Sequence, residues 1–262
     1  MFFIGIDLAW SDRNKTGVTI LKGDRKKAEI LSYSNLLSDK ELIDYIKSNV
    51  GNEGAIAAID APLIVLNRKG RRIAEKIVGS LFRKYDAGAH PSNRTRFKQW
   101  SGRVRGEDIS KILENDGFIH SPYIKRFENA RKFFEVYPHP SMVVLFNLEK
   151  ILKYKSKPNR EQRLIFEEFR RYQKYLKGLE QKEPSLFLTK DILEKKVKTL
   201  GRKMLKDYED TLDSIFCAYL AYYHWHSPDK CAVLGNMKQG YISTPVFDFM
   251  RDQLRSFNFP KS

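Results

Sequence analysis

Short apolar runs separated by polar turns open the chain and predict β-strands. Residues 2–6 and 17–21 are apolar and rich in strand formers, and a third run, 27–33, follows after another polar turn. Connections this short between successive strands are typical of an antiparallel meander. The chain is therefore expected to begin with three sequential strands of one sheet.

Helical patterns and single buried strands alternate over the rest of the chain. Ser38 followed by Glu41 predicts a capping box, and that helix should end at Gly51. The apolar run 55–59 suits a central strand that is covered on both faces. Further strands are predicted at 132–137, 231–234 and 241–243, and further helices after Pro62, within 150–210 with breaks near Gly178 and Pro184, and over 207–225. This order predicts an α/β fold with a mixed sheet.

The length of 262 residues suits one domain over 1–262 that carries insertions. Two segments depart in composition from the strand-rich parts. A basic insertion is predicted around 67–130, because residues 67–105 hold twelve basic side chains against two acidic ones. A helical insertion, dense in Lys, Arg and Glu, is predicted around 150–206.

The charge balance points to a polyanionic partner. Lys and Arg outnumber Asp and Glu by 48 to 32, which gives a net charge of +16, and nucleic acid is the simplest such partner. Cys217 and Cys231 have no paired spacing, as expected in a reducing compartment. The longest uncharged stretch, 214–228, is too short to cross a bilayer. We therefore expect a cytoplasmic protein without a membrane partner.

Five acidic residues stand at positions where chemistry is expected. Asp7 and Asp60 each end an apolar strand, and a lone carboxylate there must be exposed, paired or bound to a metal. Asp210 and Asp213 are three residues apart at the start of an apolar helix and share a face. Glu135 alternates with aromatic residues in its strand. Taken singly, such acids also serve as turn formers or helix caps.

Together these acids suit a hard divalent cation. Mg²⁺ or Mn²⁺ takes oxygen ligands from a few carboxylates, water and substrate phosphates. Two such ions can activate water and stabilise the leaving oxygen of a phosphodiester. We therefore predict Asp7, Asp60, Asp210 and Asp213 as metal ligands and catalytic residues, with Glu135 as a further catalytic candidate.

Several short motifs, in this order, resemble a known family. They are Gly-Ile-Asp-Leu-Ala-Trp at 5–10 with Thr-Gly-Val at 16–18, Ile-Asp-Ala-Pro-Leu at 59–63 with Gly-Arg-Arg at 70–72, Pro-Ser-Asn at 91–93, Glu-Val-Tyr-Pro at 135–138 and Asp-Thr-Leu-Asp at 210–213. Over roughly residues 2–244 the chain resembles the uncharacterised predicted RNase H-like nucleases, domain of unknown function 429. The resemblance implies a ribonuclease H-like three-layer fold with a five-stranded mixed sheet, helices on both faces and a helical insertion. The layout is also similar to Holliday-junction resolvases, whose acids on two strands and the last helix match Asp7, Asp60 and Asp210/Asp213.

Residues of the basic segment are the predicted substrate contacts. The candidates for holding phosphates are Arg68, Arg71, Arg72, Arg94 and Arg96, with His90 as a further phosphate-binding or proton-transfer candidate. Ser92 and Asn93 are first of all turn formers, and the resemblance makes them substrate-binding candidates.

Three functions remain open from the sequence. The first is a nuclease that depends on Mg²⁺ or Mn²⁺. The second is an ATPase or phosphotransferase of the actin/sugar-kinase type, although the bulky turn at 8–14 is poorly suited to wrap phosphates. The third is a nucleic-acid-binding protein without catalysis.

Overall fold

A mixed sheet of seven strands forms the centre of the molecule. The computed structural model describes residues 1–11 and 13–257. The strands of the sheet are β1 (Phe2–Asp7), β2 (Thr16–Gly23), β3 (Lys27–Leu36), β4 (Ala55–Ile59), β5 (Ile119–His120), β6 (Arg131–Glu135) and β7 (Ser185–Phe187). Their order is β5-β6-β4-β1-β2-β3-β7. A separate antiparallel hairpin consists of β8 (Cys231–Asn236) and β9 (Gly240–Pro245).

The predicted meander and the mixed α/β sheet are confirmed. Strands β1, β2 and β3 pair antiparallel, whereas β4 runs parallel to β1 and β6 parallel to β4. The predicted number of five strands is wrong, because β5 and β7 extend the sheet at its two edges. These strands have two and three residues, too few to show an alternating pattern.

Nine α-helices are formed by the described residues. They are α1 (Asp39–Val50), α2 (Ile73–Phe82), α3 (Arg94–Trp100), α4 (Arg105–Asn115), α5 (Pro138–Leu145), α6 (Gln162–Lys177), α7 (Lys190–Leu193), α8 (Arg202–His226) and α9 (Asp248–Ser256). The predicted capping box of Ser38 and Glu41 is present, and α1 ends at Gly51. None of these helices has the length and apolar character that a bilayer span requires.

Helices cover both faces of the sheet because alternate strand residues point to opposite sides. Phe3 and Ile56 belong to one apolar core, which also includes residues of α2, α5, α6 and α8. Ile4 and Ala57, their neighbours in sequence, belong to a second core with residues of α1 and α4. The architecture is therefore helix, sheet, helix.

Two glycines allow α8 to lie very close to β1 and β2. A Cβ atom on Gly5 would lie 2.0 Å from the Ser214 carbonyl oxygen, and one on Gly17 would lie 2.3 Å from the Asp210 carbonyl oxygen. Any larger residue would push the helix away from the strands. This close approach sets the position of Asp210 relative to β1.

Candidate functional site

Asp7 and Asp60 lie side by side at the ends of two parallel strands. Ile6 of β1 is in register with Ile59 of β4, and the Asp60 backbone N–H donates a 2.8 Å hydrogen bond to the Ile6 carbonyl oxygen. Asp7 is the last residue of β1, and Asp60 follows β4 directly. Parallel pairing thus places both carboxyl groups at one edge of the sheet, as the sequence pattern predicted.

Helix α8 brings the other two predicted acids to this edge, in different environments. The Asp210 side chain is close enough to Asp7 to share a hydrogen bond with it. Asp213 is completely buried, and its Oδ1 accepts hydrogen bonds from the hydroxyls of Tyr154 at 2.5 Å and Tyr172 at 3.3 Å. Asp210 therefore faces the same space as Asp7, whereas Asp213 is buried among the tyrosines.

An open cavity of about 590 Å³ lies at this edge of the sheet. We call it the acid cavity; its lining includes Asp7, Trp10, Asp60, His90, Tyr137, His139, Lys155, Lys157, Lys206 and Asp210. The volume is in the range of small-molecule and nucleotide sites. Three of the four predicted metal ligands thus share one accessible space.

Two lysines bring positive charge to these acids. Lys155 Nζ lies 2.7 Å from Asp213 Oδ2, and Lys206 Nζ lies 2.7 Å from both Asp210 Oδ1 and Glu209 Oε1. Of the five carboxyl groups of Asp7, Asp60, Glu209, Asp210 and Asp213, these two ammonium groups pair with three, and Lys15 and Lys157 also line the cavity. Were all of them ionised, the site would carry an excess of negative charge.

Burial and the neighbouring acids together raise the pKa values of Asp7 and Asp60. Burial raises the pKa of Asp60 to about 7, and Lys155 only partly opposes the rise. Burial also raises the pKa of Asp7 well above its usual range; Lys155 lowers it, and neighbouring acids including Asp213 raise it further. Burial alone would lower the pKa of Lys155, but the surrounding acids raise it. The cavity would accept more positive charge than its lysines provide.

Three residues of the site, Lys155, Lys206 and His139, were not predicted from the sequence. His139 lines the cavity, and its buried Nδ1 is without a hydrogen-bond partner among the described residues. Burial lowers the pKa of His139 to about 3, so the ring is neutral at physiological pH. Lys206 could have been found from its spacing of four residues before Asp210 on a helix. Lys155 has no such local signal.

Glu135 and Arg72 belong to a network that we call closed because its charged groups pair with one another. Both residues also line a cavity of about 70 Å³ beside the acid cavity, together with Asp60 and Trp10. Arg72 is only 3% exposed, and its guanidinium donates to both Glu135 oxygens at 2.6 and 2.9 Å and to Glu75 at 2.8 Å. The Leu63 backbone N–H donates to Glu135 as well. Both side chains are buried and paired with each other, so the catalytic role of Glu135 and the phosphate-binding role of Arg72 stay predictions that would require this pair to open.

Ser92 and Asn93 stabilise the backbone. The Asn93 side chain caps α3 by accepting the Arg96 backbone N–H, and the Ser92 backbone N–H donates to Glu75. Both residues are buried, as expected of turn and cap residues.

Four of the remaining predicted substrate contacts lie on the surface, and the fifth, Arg96, is half-buried. Arg94 pairs with both carboxylate oxygens of Glu107. Arg68, Arg71 and His90 are exposed. Of these four residues, His90 lines the acid cavity.

The acid cavity contains the kind of oxygen donors that a hard cation prefers, but its described side chains are not grouped as ligands of one ion. Asp7, Asp60 and Asp210 supply the oxygen donors that Mg²⁺ or Mn²⁺ prefers, whereas Asp213 Oδ2 is already paired with the Lys155 ammonium group at 2.7 Å. Within 1–11 and 13–257, however, no group of three or more His, Cys, Asp or Glu side chains is arranged to hold a metal ion. The lysines lie beside Asp210 and Asp213, which leaves Asp7 and Asp60 as the principal candidate donors.

Comparison with known proteins gives a family but no reaction. A family described as "Protein of unknown function (DUF429)" matches residues 5–239 of the chain. The chain matches no curated protein. The matched range includes every acidic residue of the acid cavity and most of the sheet.

Proposed function

Since the chain belongs to the DUF429 family, whose description assigns no activity, we propose from the site itself that the protein is a nuclease dependent on Mg²⁺ or Mn²⁺. The observation that carries the proposal is the convergence of Asp7, Asp60 and Asp210 on one open cavity. The net charge of +16 supports a nucleic-acid substrate.

We further propose that the fold is ribonuclease H-like. In support, the five inner strands have the order β3-β2-β1-β4-β6, with β1, β2 and β3 antiparallel and β4 and β6 parallel to β1. Helices cover both faces of the sheet. On this proposal β5 and β7 are additions at the two edges.

The chain's own residues have distinct tasks in the proposed reaction. Asp7, Asp60 and Asp210 would hold the metal, and a bound Mg²⁺ or Mn²⁺ supplies Lewis acidity and an activated water. Lys155 and Lys206 present ammonium groups at the cavity, where they can attract a phosphate as well as their acid partners. His139, neutral and buried, can orient a polar ligand group through its unpartnered Nδ1.

The direct test is cleavage of a panel of nucleic acids. Single-stranded, duplex, hybrid and branched substrates are incubated with Mg²⁺, Mn²⁺ or EDTA, using the wild-type protein, Asp7→Asn and Asp252→Asn. Asp252 is a matched exposed acid, with a side chain that is 82% accessible. We expect metal-dependent cleavage that Asp7→Asn reduces by at least about 100-fold and Asp252→Asn leaves intact.

Two outcomes would contradict the nuclease. Tight binding without cleavage under any metal condition would favour a non-catalytic binding protein. Metal-dependent ATP hydrolysis without nucleic-acid cleavage would favour the phosphotransferase alternative.

A further inference from the structure

Two exposed tryptophans lie together beside the acid cavity. Trp10 is 39% exposed and Trp100 is 43% exposed, and their ring centroids are 4.9 Å apart with a tilt of 36°. Trp225, the third tryptophan of the chain, is 5% exposed and belongs to the core. Leaving two of the largest apolar side chains at the surface in contact with each other marks a recognition site more often than a packing accident.

The pair is held by a small anchored cluster. The Phe97 ring is 5.6 Å from Trp10 and 6.2 Å from Trp100, and Phe97 is buried in a separate apolar cluster with Val65 and Val104. The Arg96 guanidinium lies 4.5 Å from the centre of the Trp100 ring. Trp100 is the last residue of α3, and Trp10, in the loop after β1, packs against it and against Phe97.

Trp10 connects this cluster to the acids. Its side chain lines the acid cavity together with Asp7 and Asp60. It also lines an adjoining cavity of about 70 Å³ that Asp60 and His90 share. A group resting on Trp10 would thus be within reach of the predicted metal ligands.

Two properties of the surface formed by Trp10, Trp100 and Arg96 indicate what it binds. A flat aromatic surface beside a cationic guanidinium suits a nucleobase, which stacks on both kinds of group. The bases of a duplex are already stacked on one another and cannot offer their faces, whereas the bases of a single strand can. The basic surface, including exposed Arg68, Arg71 and Lys98, favours the accompanying phosphates.

We propose that Trp10, supported by Trp100, is a stacking platform for an unpaired base next to the phosphate that enters the acid cavity. The proposal rests on the proposed nuclease function and adds its substrate class, a single strand or an unpaired region of nucleic acid. Trp10 is a positioning residue in this arrangement, since it contacts the base and not the reacting phosphate.

The test measures binding without cleavage. Fluorescence anisotropy in EDTA compares a labelled short oligothymidine, an abasic strand of equal length and a blunt duplex, using the wild-type protein, Trp10→Ala and Trp10→Tyr. Tyr123→Ala serves as the matched control because Tyr123 is 58% exposed and does not line the acid cavity.

We expect Trp10→Ala to weaken oligothymidine binding roughly 5- to 100-fold. Trp10→Tyr should retain most of the affinity, and Tyr123→Ala should retain all of it. Binding of the abasic strand should be the same in all four proteins, because only phosphates contribute there. Melting temperatures of the variants check that each one is folded.

Three results would overturn the platform. The first is that Trp10→Ala binds oligothymidine as tightly as the wild-type protein does. The second is that Trp10→Ala loses equal affinity for the base-containing and the abasic strand. The third is that the wild-type protein binds the duplex more tightly than the single strand. Since no metal is present, the result does not depend on cleavage. If the protein binds single strands through Trp10 but never cuts them, only the nuclease proposal is refuted. If it cuts nucleic acid and Trp10→Ala does not weaken binding, only the stacking proposal is refuted.

Discussion

The closed network around Arg72 and the acid cavity are both built from buried charges, but they are satisfied to different degrees. In the network, one guanidinium donates to two carboxylates, and backbone N–H groups of Leu63 and Ser92 complete their hydrogen bonds. In the acid cavity, Lys155 and Lys206 pair with three of five carboxyl groups, and Asp7 and Asp60 have no ion pair among the described residues. The larger space for a ligand, about 590 Å³ against about 70 Å³ beside the network, lies next to Asp7 and Asp60.

The difference lies in how completely each set of buried charges is neutralised. A buried ion pair with complete hydrogen bonding is costly to break. A cluster of like charges with raised pKa values remains short of positive charge and is typical of functional sites. Glu135 ends β6 and Asp60 follows the neighbouring β4, yet of the two only Asp60 lines the acid cavity.

The largest expected effect comes from opening the closed network. Arg72→Met leaves the carboxylates of Glu75 and Glu135 buried without their cation, so the free energy of unfolding should fall by about 3–5 kcal/mol. Urea denaturation measures it. The neighbouring Arg71→Met changes an exposed side chain and should stay within about 0.5 kcal/mol of wild type. Equal effects of the two substitutions would show that the network is not closed as described.

A smaller effect is expected from separating α8 from the strands at the cavity. In Gly17→Ala the new Cβ meets the Asp210 carbonyl oxygen at 2.3 Å, and overpacking of this kind costs about 1–3 kcal/mol. Gly79→Ala is the matched control, because a Cβ there has nothing within 4 Å. Since Gly79 lies inside α2, alanine should stabilise by about 0.5–1 kcal/mol. Thermal unfolding of both variants, side by side, tests the sign of each change.

The burial of Asp60, together with the acids near it, predicts a pH-dependent gain in stability from Asp60→Asn. The folded pKa of Asp60, about 7, lies above its ordinary value of 3.8, so the native state binds the proton more tightly and ionised Asp60 destabilises it as pH rises from 4 through 7. Asparagine avoids this cost and should raise the free energy of unfolding by about 1–2 kcal/mol at pH 8, after allowance for screening by water in the cavity.

Denaturation in EDTA at pH 4 and pH 8 measures that gain. The difference between Asp60→Asn and wild type should nearly vanish at pH 4, where both side chains are largely neutral. Asp252→Asn, at an exposed position, should match wild type at both values. A destabilised Asp60→Asn at pH 8 would mean that the lysines fully neutralise the cavity.

The smallest expected effect is stabilisation by a divalent cation. Mg²⁺ or Mn²⁺ at ten times its dissociation constant should add about 1.4 kcal/mol to the stability of the folded state, seen as a higher melting temperature than in EDTA. Asp7→Asn should remove the increase, and Arg71→Met should keep it. An unchanged wild-type melting temperature over a wide range of concentration would argue against the proposed metal site.

The parts of the site that were predictable from the sequence are those fixed by strand register. Asp7 and Asp60 meet because each ends an apolar run and the two runs pair in parallel, and both facts leave a pattern in the chain. Lys155 meets Asp213 through packing between segments 58 residues apart, which leaves no periodic signal. Arg72 pairs with Glu135 across a similar separation in sequence. Nothing in the sequence showed that these two candidate site residues would neutralise each other.

The edge strand β7 has a consequence for attempts to shorten the protein. It returns from the segment 150–206 to pair with Lys27–Glu29 of β3, and the same segment carries Tyr154 and Lys155, which hold Asp213. A chain trimmed of these residues would expose the backbone of β3 next to Leu31 and Tyr33, both already at the surface. Unprotected strand edges of this kind join edge to edge with other copies, so the trimmed protein should aggregate instead of yielding a minimal catalytic core.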